Sequence, residues 1–124
     1  MIVTEKGNLQ IAKYLGWFQE PDQVGSWFLK DDCAKYVVYS IYNNYPHRDL
    51  PFHRDFNSLM PVLNKIAADI KERYDGEISI DYYAGEVIVQ IGDEPVSVYL
   101  GKLEPVEAIW LAVVRYLKNN GFDL

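Results

Sequence analysis

The chain predicts an α+β domain, a three-stranded antiparallel meander packed by a long central helix and a C-terminal helix. Three patterns carry that prediction. Apolar and polar residues alternate strictly through residues 78–100, interrupted only by short glycine-containing turns. Residues 55–74 and 105–118 instead place apolar side chains at steps of three and four, the period of a helix with one buried face. Glycine followed by an aromatic closes two helical segments, at Gly16-Trp17 and Gly121-Phe122.

Taken in order, a first short helix is expected from about Thr4 or Asn8 to Leu15, with Leu9, Ile11, Ala12 and Leu15 apolar. Gly16 suits the left-handed position just past its end, and Glu20-Pro21-Asp22 breaks the chain. Residues 24–45 read two ways. Ser26-Trp27-Phe28-Leu29 and residues 35–42, with Asp31-Asp32 between them, favour a hairpin. The run KYVVYSIYNNY also fits a helical turn packed by its tyrosines.

The organising element is expected at residues 55–74, with Phe56, Leu59, Met60, Leu63, Ile66, Ala67, Ile70 and Tyr74 on one face. Asp55 or Asn57 can cap its start. Pro61 must then lie near the first turn, because deeper in a helix it costs about 3 kcal/mol. Asp75-Gly76 stops the helix, and Ala84-Gly85 and Gly92-Asp93-Glu94-Pro95 turn the chain between strands. Ile78, Ile80, Val87, Val89, Ile91, Val96, Val98 and Leu100 are expected to face the helices. Pro105 opens the last helix at its first position. Val106, Ile109, Trp110, Val113 and Leu117 form its stripe, which leaves Leu111 and Val114 as surplus apolar residues in need of a neighbour. That neighbour is the aromatic segment at residues 27–45 or a second copy of the chain, so a homodimer is possible.

Composition narrows the function classes. At 124 residues and 49% apolar, the chain is one domain with a real core. A net charge of −6 argues against a nucleic-acid clamp, which needs basic residues to displace phosphate counterions. Cys33 is the sole cysteine, so no intramolecular disulfide forms. The longest apolar run, residues 108–114, is too short to span a bilayer, and a cytosolic setting without membrane contact is expected.

No residue pattern carries catalytic chemistry. His47 and His53 each begin an HRD triplet in HRDLPFHRD, but the remaining protein-kinase motifs are absent. His47, Asp49, His53 and Asp55 are types that bind divalent ions, at a spacing matching no established site. The plainer reading is a polar loop whose Arg and Asp side chains pair and cap the following helix. Cys33, beside Asp31 and Asp32, lacks the positive surroundings that activate a thiol. No catalytic, metal or cofactor-binding residue is therefore assigned. The unusual feature is aromatic: Tyr36, Tyr39, Tyr42 and Tyr45 recur every three residues, near Trp17, Trp27 and Phe28. They form either a recognition surface or the plug of a small core. As a surface, the candidate residues are Trp27, Tyr36, Tyr39, Tyr42, Leu111 and Val114.

IAKYLGW, LPFHRDFNSLMPVLNKI and EPVEAIWLAVVRYL, in that order, resemble the phage ABA sandwich domain family. The matching residues are Leu15, Gly16 and Trp17; Leu50, Pro51, Phe52, Asp55 and Asn57; and Pro105, Ala108, Ile109 and Ala112. The resemblance implies an αβα sandwich from a phage or prophage, provided the N-terminal segment covers the other sheet face. It implies no catalytic residue, and residues 27–45 depart from the family pattern. The favoured expectation is a non-enzymatic protein acting through an unknown protein partner in the cytoplasm of a bacterial host. The alternatives are a small enzyme or ligand binder using the HRDLPFHRD loop, and an acidic inhibitor or immunity-type protein.

Overall fold

The computed structural model describes residues 3–31, 33–43, 49–73, 78–83, 85–91, 94–99 and 103–122, and it is an α+β structure. Helix α1 (Val3–Tyr14) leads into a hairpin of β1 (Ser26–Lys30) and β2 (Lys35–Ser40), followed by a 3-10 turn (Ile41–Asn43). Helix α2 (Phe56–Arg73) precedes β3 (Ile78–Tyr83), β4 (Glu86–Ile91) and β5 (Glu94–Tyr99), and α3 (Pro105–Asn119) closes the fold.

Both glycine-aromatic endings are Schellman motifs. Gly16 sits at φ 85°, its N–H donates to Lys13 O at 3.0 Å, and Trp17 N–H reaches back to Ala12 O at 2.9 Å. Gly121 sits at φ 87°, and Phe122 N–H donates to Leu117 O at 2.9 Å. A side chain with a Cβ is strained at such a φ, which is why glycine marks both helix ends. At the start of α2, Asp55 Oδ1 accepts from Asn57 N–H at 3.1 Å while Asp55 Oδ2 accepts from Ser58 Oγ at 2.8 Å. Asp55 is therefore the cap, Asn57 lies inside the helix, and Pro61 falls in its second turn. Tyr74 and Asp75-Gly76 lie outside the described residues.

The hairpin reading of residues 24–45 holds, with the second strand ending at Ser40 instead of Tyr42. β1 and β2 pair antiparallel, and the register slips between Trp27 and Phe28 because Val38 is an extra residue opposite them. Phe18 bridges to Phe28, which fastens the outer side of β1 to the chain leaving α1. In the second sheet the order is β3-β4-β5, antiparallel, with Ile80 opposite Val89 and Val89 opposite Val96. β4 alternates cleanly: Val87, Val89 and Ile91 are fully buried, while Glu86, Ile88 and Gln90 are half-buried. Ile78 and Ile80 are half-buried against the same core. The expected inward facing of Val96 and Val98 concerns side chains outside the described set, and Leu100 lies outside it altogether.

Two expectations are corrected. The organising helix is α3 instead of the segment at residues 55–74: α3 packs on β4, β5, α1 and α2. Ala108, Ile109, Trp110, Ala112, Val113, Tyr116 and Leu117 are all buried, with Val106, Leu111 and Val114 half-buried, so its apolar surface extends round most of the helix. Arg115 and Lys118 keep one narrow side exposed, and the rest of the helix is covered by its neighbours. The surplus at Val114 is met by α1, because a Cβ on Gly7 would lie 3.1 Å from Val114 Cγ2 and 2.5 Å from Trp110 Cζ2. α1 thus joins the core through α3. The second correction is rotational. On α2 the buried stripe is Leu59, Val62, Leu63, Ile66 and Ile70, while Phe56 and Met60 are exposed and Ala67 is half-buried.

Candidate functional site

The loop before α2 is clamped to the body by apolar and polar contacts together. Leu50 and Phe52 are buried, Phe52 with its ring 5.2 Å from that of Trp17. Between these anchors the backbone turns, Arg54 and Asp55 N–H both donating to Pro51 O. The turn aims His53 at α1 and α3.

There Asn8, only 2% exposed, is the hub. Its Oδ1 accepts from Trp110 Nε1 at 2.9 Å, and its Nδ2 donates to Leu50 O at 2.9 Å and to His53 Nδ1 at 2.9 Å. The network fixes both orientations. A flipped amide would set NH2 against the indole N–H, and the amide N–H pointing at His53 requires Nδ1 to be the bare, accepting nitrogen. His53 is therefore neutral with its proton on Nε2, 3.7 Å from Asp49 Oδ2. Burial holds its pKa below the ordinary 6.5; Arg54 adds to this, while Asp49 and Glu107 oppose it. Asp49 is itself held by Arg54 Nη1 at 3.0 Å. Arg54 also donates to Asp49 O, which in turn accepts from Tyr39 Oη at 2.8 Å.

The arrangement ties the loop to α1, α3 and the hairpin. The Arg-Asp pairing and the Asp55 cap are those expected of the loop. Among the described residues no three His, Cys, Asp or Glu side chains gather as metal ligands, and His47 lies outside them.

The residues singled out as a recognition surface fall into three places. Tyr36 and Tyr42 are exposed, at 44% and 73%. Trp27 and Tyr39 are half-buried against the core, and Leu111 and Val114 are half-buried on α3. Trp27, Tyr39, Leu111 and Val114 therefore pack inward, and two tyrosines of the six residues reach solvent as large exposed groups. Sequence reasoning passed over two others beside them, Val24 at 64% and Val37 at 55% exposure. All four sit on or next to the hairpin, and among the described residues the sheet of β2 has β1 as its other strand.

At the hairpin tip the Asp31 carboxylate accepts from Cys33 and Ala34 N–H, both at 2.8 Å, and these bonds hold its pKa low. Lys35 pairs with Glu20 at 3.1 Å and lies 4.9 Å from the Phe28 ring centre, fixing the strand's start. Beneath the hairpin lies a cleft of about 340 Å³, walled by Leu9, Val24, Trp27, Ile41 and Leu50, with Glu5, Asn8 and Asp49 as its polar side. Asn8 and the cleft carry no local sequence signal, since their members come from four separate segments.

Among the described residues no helix is long and apolar enough to cross a membrane. No protein-family model, curated protein or solved structure matches the chain.

Proposed function

We propose that the protein is a non-enzymatic contact module whose hairpin docks a partner protein. The observation that carries this reading is the exposure of Val24, Tyr36, Val37 and Tyr42 on one small unit, beside a strand whose outer edge has no partner strand among the described residues. An edge strand offers unpaired N–H and C=O groups, and native proteins normally shield it with charge or a cover. Here valine and tyrosine stand on it instead. A partner segment adding a strand along β2 would pair that edge and cover Tyr36 and Val37. The net charge of −6, together with Glu5 and Asp49 at the adjoining cleft, favours a basic partner.

The resemblance of the Leu15-Gly16-Trp17, Leu50-Pro51-Phe52 and Pro105-Ala108-Ile109 segments supports a phage or prophage origin in this reading. The cytoplasm of a bacterial host is the corresponding location, and an acidic protein that occludes a basic target is the corresponding role. A second reading rests on the cleft, which Asp49 and Leu50 of the HRDLPFHRD loop help to wall, as a small-ligand site.

The test is affinity capture from host extract with the wild-type chain and with a Tyr36→Ser, Val37→Asp variant. Hydrogen exchange on the purified complex then maps the contact. The expected result is a basic protein bound by wild type alone, with slowed exchange in residues 35–43. Slowed exchange confined to other surfaces overturns the reading. A concentration-dependent doubling of mass without any partner replaces it with self-association.

A further inference from the structure

A second site, unconnected with the hairpin, lies between the end of α1 and the end of α3. Gln10 is only 3% exposed, and its Nε2 is the buried side-chain polar atom left without a hydrogen-bond partner among the described residues. Gln10 lines a cavity of about 270 Å³ together with Lys13, Tyr14, Gly121 and Phe122. Gln10, Lys13 and Tyr14 stand at i, i+3 and i+4 on α1, so one helix face supplies the amide, an ammonium and a ring. The Schellman ending of α3 delivers Phe122, whose ring meets Tyr14 edge-on at 4.9 Å and 76°. Tyr14 is fixed in turn: its hydroxyl donates to Asp69, and Lys65 Nζ stands 5.1 Å from its ring centre.

The chemistry of these groups selects an occupant. The Gln10 nitrogen carries two donors and accepts nothing, so it calls for an acceptor oxygen. Lys13, free to swing at the exposed edge, adds positive charge beside it. The Tyr14 and Phe122 rings provide an apolar wall that a small hydrated anion would leave unused. A single water fills about 30 Å³, a small part of this space.

We propose that the cavity binds a small carboxylate with an aromatic or branched apolar body. One carboxylate oxygen accepts from Gln10 Nε2, the carboxylate pairs with Lys13, and the body lies against Tyr14 and Phe122. Nε2 is itself sealed from solvent, so rotation of the Gln10 side chain is the movement that brings it to the carboxylate, and α1 and α3 stay in place.

Benzoate is the probe, with benzyl alcohol as the uncharged body and acetate as the bodiless charge. In ¹⁵N-labelled protein the Gln10 side-chain NH2 signals should move downfield and saturate, with a Kd of roughly millimolar order. Benzyl alcohol and acetate should each bind about tenfold more weakly, a loss of one interaction of about 1.4 kcal/mol. Gln10→Leu, which removes the orphaned amide and so retains the fold, should cost benzoate a similar factor, as should Lys13→Met, both read from the backbone amide signals of Gly121 and Phe122 at the cavity. Three results would overturn the proposal. Absence of a saturable shift means that the cavity holds water only. Equal binding of benzyl alcohol means an apolar pocket without charge recognition. Undiminished benzoate binding by Gln10→Leu means that the amide takes no part.

Discussion

The junction around Asn8 and the hairpin at residues 26–40 are built on opposite terms. At the junction every polar atom of the Asn8 side chain has a partner, and the groups it joins are 42, 45 and 102 residues away in sequence. In the hairpin, pairing is local, and large side chains such as Tyr36 and Val37 are left in water. A region closed by long-range buried contacts contributes to global stability, whereas one with few buried neighbours opens and adapts at low cost. The protein therefore keeps its rigidity at the junction in the middle of α1 and its available contact surface on the locally paired hairpin.

The largest effect should come from Asn8→Leu. It strands the buried Trp110 indole N–H and takes the donor from His53 Nδ1, at about 1–3 kcal/mol for each buried group left unpaired, while the Leu50 carbonyl keeps Arg54 Nη1 at 3.3 Å. Against a total stability of roughly 5–15 kcal/mol this should lower Tm by about 10 °C or more, measured by calorimetry. A shift below a few degrees would mean that water replaces both bonds, and the junction would then be no more closed than the hairpin.

A matched pair of glycine substitutions sharpens the contrast. A Cβ on Gly7 would lie 2.5 Å from Trp110 Cζ2, and that indole is buried and tethered to Asn8. A Cβ on Gly25 would lie even closer to the Tyr42 ring, but Tyr42 is 73% exposed and can swing away. Overpacking costs about 1–3 kcal/mol, from which the helix propensity of alanine returns about 1 at Gly7. Gly7→Ala should thus lower Tm by a few degrees despite improving the helix, while Gly25→Ala should leave it nearly unchanged. Equal shifts would remove the distinction.

Acid should also separate the two regions. The His53 pKa is depressed by burial, so the unfolded chain binds a proton more readily than the folded one. The sign follows: this contribution is complete above the ordinary pKa of 6.5 and is lost as pH falls through the folded value. Protonation would put an N–H at Nδ1, facing the Asn8 amide N–H. Melting curves between pH 7.5 and about 5 should therefore fall more steeply for wild type than for His53→Gln, and exchange should quicken in residues 49–54 before residues 26–40. Parallel curves for the two proteins would show that His53 does not titrate with unfolding.

What the sequence disclosed follows the range of the interactions involved. The positive φ at Gly16 and Gly121, the Asp55 cap and the alternation of β4 depend on neighbours within a few residues, and they were readable. The hairpin was readable for the same reason, though its end at Ser40 was not. The clean single-face pattern of α2 reads as the organiser, whereas α3, covered over most of its circumference, holds that place. The surplus at Leu111 and Val114 was the available sign of that burial. Asn8, Gln10 and the two cavities could not be read, because each is made by segments that meet only in the folded chain.

The smallest effect on stability is expected at the hairpin, and it decides what the exposed side chains are for. Tyr42 is the most exposed large hydrophobic side chain among the described residues, resting on Gly25 without burying most of its ring. A surface substitution away from core, cap or strained backbone normally changes stability by less than about 0.5 kcal/mol. Tyr42→Ser should therefore leave Tm within about two degrees of wild type. If the tyrosine serves partner contact, the same variant should lose partner capture while keeping its fold, since aromatic anchors carry a disproportionate share of binding energy. A large fall in Tm would reassign Tyr42 as a structural cover for Gly25 and β1. Unchanged stability with undiminished capture would move the contact surface off this side of the hairpin, towards Tyr36 and Val37 on β2.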